Sequence, residues 1–597
     1  MRRTLNVQRV LKLFYDEEDI SSSSSSSEDE EENDEDEEMI DPSFGSDDVA
    51  SDGRYEHCGP SCRRSTQRRC GTRSQTRSRS PQPEPLHHLE PWRTGNDPDI
   101  APPISPFMPR RPPGAQLDSH VAYSPRDLFQ LYFSPATLHK LCENTNKQAA
   151  RNKEMGKKNI WVDVDVEELC KFIGLLIFTS VVSMPNIKDY WKQDTITSLP
   201  FPGTVMPRDR FRNLLTNIHP SDPEEDRKND KRKGTPSYDK LFKMKPLIDD
   251  ILRACQAHYH SRRELAVDER PVERRTGKTQ SMTVKPAKWG MKLIVLVDSS
   301  NGYTVSFNVH VEKNHTETEH GLAYDAVMNL IQPLYLCTGY HVYMDNFYSS
   351  PQLFLKLAEL KFGACGTYRD NKSGCPTNRE NALTKTSERG AVRWIREGYL
   401  VFVKWMDTQE VSMCSTIHPA FSGEVVKRRV KDEDGRWSTK EISCPTPVIA
   451  YNRNMCGVDL SDQLLQYYST NRETVHWCRK VFLHLVDIAA TNAYLLQCEI
   501  STSNQMKPMS RKDFQTELAA QLCGVDWSDR TSSKIPGHVP VPIAVVTDSR
   551  LKTTQGRRKC KHCHQMGRRN LTPWMCKSCN VSLCVILDRN CFEEWHT

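Results

Sequence analysis

Four aspartates of this sequence, Asp268, Asp345, Asp459 and Asp462, stand where carboxylates can converge on a cation. Asp268 directly follows the apolar run Leu265-Ala266-Val267, and Asp345 follows Val342-Tyr343-Met344 in the same way, leading into Asn-Phe-Tyr-Ser-Ser. Each would sit at the end of a core strand, and strand ends in an α/β sheet are where ligands bind. Asp459 and Asp462 lie three residues apart in a segment of helical pattern, hence on one helix face. Converging carboxylates suit hard divalent cations such as Mg2+, which prefer oxygen ligands and keep positions open for water and phosphate. Two such ions can activate an attacking oxygen and stabilise a leaving one in an in-line phosphoryl displacement. Taken singly, each aspartate reads as a turn cap or a solvated acid. Taken together, the four read as a metal-dependent phosphoryl-transfer site.

A second group of chemically loaded residues comprises Cys560-x2-Cys563, Cys576-x2-Cys579, Cys584, Cys591 and His596, seven candidate ligands within 37 residues. Each C-x2-C pair can chelate one face of a tetrahedral ion, a strong zinc signal. Seven ligands exceed one ion, and two Zn2+ in a cross-braced module need eight, so His562, His564 or Asp588 would complete the set. The other fifteen of the 21 cysteines are scattered; in a reducing compartment such clustering means metal rather than disulfides. Arg557, Arg558, Lys559, Lys561, Arg568 and Arg569 flank the first pair and favour nucleic acid. The alternatives are structural zinc without DNA contact, or a protein-binding finger of PHD or RING type.

The elements that must position these groups follow from pattern. Leu128, Leu131 and Tyr132, then Leu138 and Leu141, predict two short helices around Pro135. Asp165 with Glu168 resembles a capping box, and Val166, Leu169, Phe172, Ile173, Leu176 and Ile177 form one apolar helical stripe. Helical pattern continues over 210–218 and 247–255, separated by a polar loop over 222–233. Strands are predicted over 264–267, 293–297 and 303–311, the last two as a hairpin through Ser-Ser-Asn-Gly at 299–302. A helix over 319–331, a strand over 341–344, a helix over 351–360 and a strand over 362–367 complete a mixed α/β core. Strand-like runs at 392–395, 399–405 and 411–415 mark a β-rich insertion, and helical pattern resumes from Gly457 through Leu496.

Composition bounds the rest. At 597 residues the chain exceeds one hydrophobic core, so several domains are expected. The serine run over 21–27 and the acidic run over 28–38 cannot bury enough apolar area to fold. Basic residues over 63–79 and a proline-rich stretch over 81–113 read as a solvated linker, the basic part alternatively as a nuclear import signal or a loose DNA contact. The net charge of +5 is small because the acidic block cancels a basic excess elsewhere. The longest uncharged apolar run, 172–182, is shorter than the roughly 20 residues a membrane span takes, and the N-terminus has no apolar stretch with a small-residue cleavage site. A protein that stays inside the cell and off membranes is expected.

Four motifs carry a family resemblance: Leu265 to Pro271 (LAVDERP), Val342 to Ser350 (VYMDNFYSS), Gly366 to Lys372 (GTYRDNK) and Tyr451 to Gln463 (YNRNMCGVDLSDQ). In order and layout they resemble the successive signatures of the piggyBac transposase family, from about residue 119 onward. The resemblance implies an RNase H-like catalytic core in two segments, 263–376 and 444–468, interrupted by the β-rich insertion 377–443. It implies a helical dimerisation and DNA-binding domain in two segments, 119–262 and 469–540. A disordered region 1–118, a linker 541–556 and a zinc-binding domain 557–597 flank them. Asp268, Asp345 and Asp459 become the Mg2+ triad, with Asp462 as an additional acid of the site. Arg369 and Lys372 would contact DNA phosphates, or else form a solvated turn; Trp477 would stack on DNA, or else be buried in the helical core.

The implied chemistry is cut-and-paste transposition in the nucleus: nicking of transposon ends, hairpin formation by the freed 3′ hydroxyl, and joining to double-stranded target DNA at TTAA. A homodimer is expected, because two DNA ends must be brought together. The competing reading is a domesticated, non-catalytic DNA-binding or chromatin-associated descendant. A zinc-dependent protein-interaction module on an inert scaffold leaves the strand-end aspartates unexplained.

Overall fold

Continuous apolar runs in the middle of the chain make strands that are buried on both faces. The computed structural model describes residues 91–156, 161–192, 196, 198–271, 292–310, 320–376, 379–431, 437–471, 476–525, 539–544, 555–577, 579–586 and 588–596. The serine and acidic runs, the basic cluster over 63–79 and most of the 541–556 linker lie outside the described residues. The chain divides into two compact units, Met1–Gly524 and Val525–Thr597.

The strands of the first unit are β1 (Arg93–Thr94), β2 (Met108–Pro109), β3 (Gly114–Ala115), β4 (Tyr259–His260), β5 (Glu264–Pro271), β6 (Lys292–Asp298) and β7 (Thr304–His310). They continue with β8 (Cys337–Thr338), β9 (His341–Met344), β10 (Gly363–Thr367), β11 (Val392–Glu397), β12 (Leu400–Met406), β13 (Glu410–Ser415), β14 (Val425–Lys431) and β15 (Trp437–Ser443). Among the described residues nine of them form one sheet in the order β1-β11-β12-β13-β10-β9-β5-β6-β7. β5, β6 and β7 are antiparallel neighbours, and β6 and β7 form the expected hairpin. β9 lies parallel to β5, and β10 parallel to β9.

The segment 377–443 is β-rich, as its sequence predicts, and β11 to β13 extend the main sheet. β13 pairs antiparallel with β10, so the unpaired backbone that β10 would otherwise expose is covered. β14 and β15 pair only with each other.

Residues 91–118 correct the expectation of disorder through 118. Trp92 is buried, β1 pairs with β11 at the sheet edge, β2 pairs with β8 and β3 with β4. The Asp99 carboxylate makes a bidentate pair with Arg396, at 2.5 and 2.8 Å, and accepts the Ala420 N–H. A few anchoring side chains hold a proline-rich chain that average composition marks as solvated, and proline is tolerated at sheet edges.

Most helices fall where periodicity places them. Pro125–Gln130 is short as expected, whereas Pro135–Glu154 runs 20 residues behind the Ser134 cap. Asp165 caps Val166–Val181 by accepting the Glu168 N–H at 2.8 Å. The polar stretch read as a loop contains the helix Pro223–Asp230. It has no apolar stripe to reveal it; the Asp222 cap, Pro223 in the first turn and Glu224, Glu225 and Asp226 at the N-terminal end hold it. Trp477–Ser503, 27 residues long, is apolar enough to span a membrane by length and composition, yet 94% of its most apolar window is buried inside the protein. It is a core helix.

Candidate active site

Strand register sets the first two aspartates side by side. In the parallel β5–β9 pair Val267 is level with Met344, so the next residues, Asp268 and Asp345, stand level as β9 ends. Asp345 Oδ1 accepts the Phe347 N–H at 2.8 Å, and its carbonyl accepts from Ser349 N and Oγ at 3.1 and 2.9 Å. This turn is held from below by Gly366, opposite Met344 in β10. A Cβ there would lie 2.2 Å from Ser349 Oγ and 2.5 Å from the Met344 carbonyl oxygen.

The helix Cys456–Tyr467 brings the other two aspartates. It seats on β5 and β6, and Gly457 permits the approach: a Cβ there would come within 2.6 Å of Ser299 Cα in the β6–β7 turn. Asp459 is exposed in the helix's first turn. Asp462 accepts from Arg270 Nε at 2.7 Å, and Arg270 NH2 donates to Ser461 Oγ at 2.7 Å. The Arg270 side chain is only 3% exposed. It clamps the helix to β5.

Asp268, Asp345, Asp459 and Asp462 line a single open cleft of about 1350 Å3, together with Arg369 and Lys372. Glu269 and Lys292 also line it and pair with each other at 2.8 Å. Arg369 is exposed. Lys372 Nζ donates to the carbonyls of Phe347 and Ser349 at 2.8 and 2.7 Å, spanning the turn after Asp345. Burial lowers its pKa, opposed by the charge of Asp345. Lys372 therefore ties this turn together. Trp477 is 9% exposed, belongs to the hydrophobic core and does not line the cleft. The alternative of burial is the one its position supports, since a packed ring offers no face for a base.

Sequence reading missed Arg270 and Tyr348. Arg270 was visible inside LAVDERP, two residues after Asp268: a cation within a buried strand needs an anionic partner. Tyr348 is 1% exposed and lines the cleft, and its hydroxyl has no hydrogen-bond partner among the described residues. Burial, then Glu269, Asp268 and Asp345, push its pKa upward, so it stays protonated.

The cleft's donor set, all carboxylate oxygen, has the chemistry of a hard divalent cation site, and the orphaned Tyr348 hydroxyl fits a site that completes its bonding on loading. The four aspartates do not form a group of oxygens within 4.8 Å of one another; among the described residues such ligand groups lie in the second unit.

In the second unit Cys560, Cys563, Cys584 and Cys591 are buried with their sulfurs mutually within 4.8 Å, and Cys576, Cys579 and His596 form a second group. Both are consistent with structural zinc sites, and they interleave along the chain as a cross-brace does. His596 Nδ1 contacts the Phe592 carbonyl at 2.7 Å, and its Nε2 lies 3.5 Å from Cys579 Sγ, an outer bond that fixes the ring for ligation. Of the candidates for an eighth ligand, none joins the second group; His562 instead groups with Cys591 and Glu594. Arg557, Arg558, Lys559, Lys561, Arg568 and Arg569 are all exposed.

Comparison with known proteins agrees with this layout. Residues 124–494 match the family described as Transposase IS4, and residues 547–597 match the DDE_Tnp_1-like zinc finger. The chain is 23% identical to PiggyBac transposable element-derived protein 3 of Homo sapiens over 495 residues, 80% of this chain and 77% of the relative. It is 24% identical to PiggyBac transposable element-derived protein 5 of Homo sapiens over 428 residues, 68% of this chain and 76% of the relative. In fold it is similar to the cryo-EM structure of a piggyBac transposase synaptic complex with hairpin DNA, at TM-score 0.57 and 21% identity, covering 79% of this chain and 99% of that one.

Proposed function

The chain belongs to the piggyBac-like transposase family, and on that premise we propose that its acidic cleft nicks, hairpins and joins DNA ends at TTAA sites by Mg2+-dependent phosphoryl transfer. The observation that carries the reading is the convergence on a single cleft of Asp268, which lies within β5 rather than at the strand end its sequence predicts, Asp345 at the end of β9, and Asp459 and Asp462 on one helix. Three antiparallel strands with two parallel strands added at one edge, β10-β9-β5-β6-β7, support an RNase H-like core. Bound Mg2+ would supply an activated attacking oxygen and charge stabilisation at the leaving one.

The chain's own residues do the positioning. Asp268, Asp345 and Asp459 hold the cation, and Arg270 commits one Asp462 oxygen to fixing the helix. Exposed Arg369 on the cleft wall takes a DNA phosphate, and Lys372 keeps the Asp345 turn in shape. The zinc module presents its basic residues to transposon-end DNA, and the chain works in the nucleus as a homodimer that brings two ends together.

The test uses the purified full chain and a TTAA-flanked terminal repeat. Mg2+-dependent nicking is expected, and Asp268→Asn should reduce it to background while end-DNA binding persists. Failure to cut any candidate end with Mg2+ or Mn2+ would overturn the enzymatic reading. It would favour a non-catalytic DNA-binding descendant.

A further inference from the structure

Phe347 is the side chain in the cleft that the proposed chemistry leaves without a task. Among the described residues three phenyl-type rings line the cleft: Tyr348 is 1% exposed, Tyr324 is half-buried and Phe347 is 44% exposed. Both polar backbone atoms of Phe347 are committed to the turn after Asp345. Its N–H donates to Asp345 Oδ1 at 2.8 Å, and its carbonyl accepts from Lys372 Nζ at 2.8 Å. The ring packs edge-on with Tyr348, centroids 5.0 Å apart. An exposed ring forgoes the stabilisation of burial, and single exposed apolar side chains are ordinary on open surface. This one instead stands in a polar cleft, two residues from Asp345. Two peptide units put its Cα no more than about 7.6 Å from that of Asp345, or about two stacked base steps of ~3.4 Å.

The cleft thus presents carboxylates, the exposed guanidinium of Arg369 and an exposed benzene ring. A cation uses the first, and a phosphate with its cation uses the first two. The ring is used by a ligand that carries an aromatic face beside its phosphate, which is a nucleotide. In a paired duplex each base face is covered by its neighbours, so the base that can stack on Phe347 is an unpaired one, as at a nick or in a hairpin loop. Trp477, the aromatic expected to stack on DNA, lies in the core. We propose that Phe347 is a positioning residue that stacks on the unpaired base next to the reacting phosphate and so holds that phosphate at the carboxylates. The inference rests on the phosphoryl-transfer reading given above. Stacking on an aromatic ring tolerates every base, so Phe347 selects unpaired over paired DNA rather than one sequence over another.

The experiment compares the purified full chain with Phe347→Ala and Phe347→Trp. The probes are a DNA hairpin with a TTAA loop, carrying 2-aminopurine at each loop adenine in turn, and a fully paired duplex of the same stem, both with Ca2+ in place of Mg2+. The wild type should bind the hairpin more tightly than the duplex and quench the fluorescence of a loop 2-aminopurine. Phe347→Ala should lose that quenching, weaken hairpin binding about 10-fold, leave duplex binding unchanged and melt at the wild-type temperature. Phe347→Trp should keep both the quenching and the hairpin preference. A merely structural ring would instead lower melting and weaken binding of both DNAs alike, and that result overturns the proposal. So does a wild type without hairpin preference or quenching, or a Phe347→Ala chain that retains them. A wild type that quenches the loop base but does not nick a TTAA-flanked terminal repeat with Mg2+ overturns the enzymatic reading alone. Nicking by a wild type that leaves the loop base unquenched overturns the stacking role alone.

Discussion

Arg270 shows how one side chain can matter to a site without belonging to its chemistry. It is buried in β5 and satisfied by Asp462, Ser461 and Thr304, so its charge is tolerable only while the Asp462 helix is docked. Removing one partner of such a pair leaves an uncompensated charge or an unfilled space, at a cost of about 3–5 kcal/mol. Arg270→Ala should therefore lower stability by about that amount in a denaturant titration, and a loss below about 1 kcal/mol would refute the clamp. At the same scale, Asp487 is fully buried, accepting from Thr470 N at 2.8 Å and Ser469 Oγ at 2.7 Å. Burial, opposed by these bonds, raises its pKa to about 7. A carboxyl raised in the folded state contributes stability that is complete below its ordinary value of 3.8 and is lost as pH rises through about 7. Asp487→Asn should gain in melting temperature relative to the wild type between pH 5 and pH 8; a constant difference across that range would show that Asp487 does not titrate there.

At the scale of elements, the turn between β9 and the helix Pro351–Glu359 shows what a sequence reveals and what it hides. Strand, aspartate and helix were all legible, because an apolar run, a polar break and Pro351 behind Ser350 each leave a local signal. The support of that turn was not. Lys372 reaches back 23 and 25 residues to its carbonyls, and Gly366 lies against it through sheet pairing; both contacts depend on β9 and β10 being parallel neighbours, which no local pattern encodes. Gly366→Ala would drive a methyl into the Met344 carbonyl and Ser349 Oγ. The backbone must shift, so this variant should lower the melting temperature by several degrees and lose Asp268-dependent Mn2+ binding, whereas Lys372→Met should retain the fold and weaken that binding. Wild-type Mn2+ affinity in Gly366→Ala would separate the turn from the site. The same limit explains the helix Pro223–Asp230 and the ordered residues 91–118: capping and a few distant anchors hold them, and periodicity registers neither.

At the scale of the molecule, the two compact units rest on different physics. Met1–Gly524 contains a core running from the helices through both faces of the sheet, ample to fold by burial. Val525–Thr597 has little comparable: its described apolar cluster is Leu583 among the four cysteines, edged by Val581, Phe592 and Trp595. A unit of this size with so small a described core is commonly stapled by metal or disulfides, and ligand binding energy then becomes folding energy. The seven ligands were legible because C-x2-C spacing is a local signal. Their division into Cys560/Cys563/Cys584/Cys591 and Cys576/Cys579/His596 was not, since it depends on how the loops cross. That division makes a quantitative prediction. The wild-type chain should carry two Zn2+ by elemental analysis, and Cys576→Ser should keep about one, because the four-cysteine site remains whole. A zinc chelator should expose 555–596 to protease, and added Zn2+ should restore protection; a segment that stays protected when stripped of zinc would mean that its apolar contacts suffice, and that the cysteines serve some purpose other than folding.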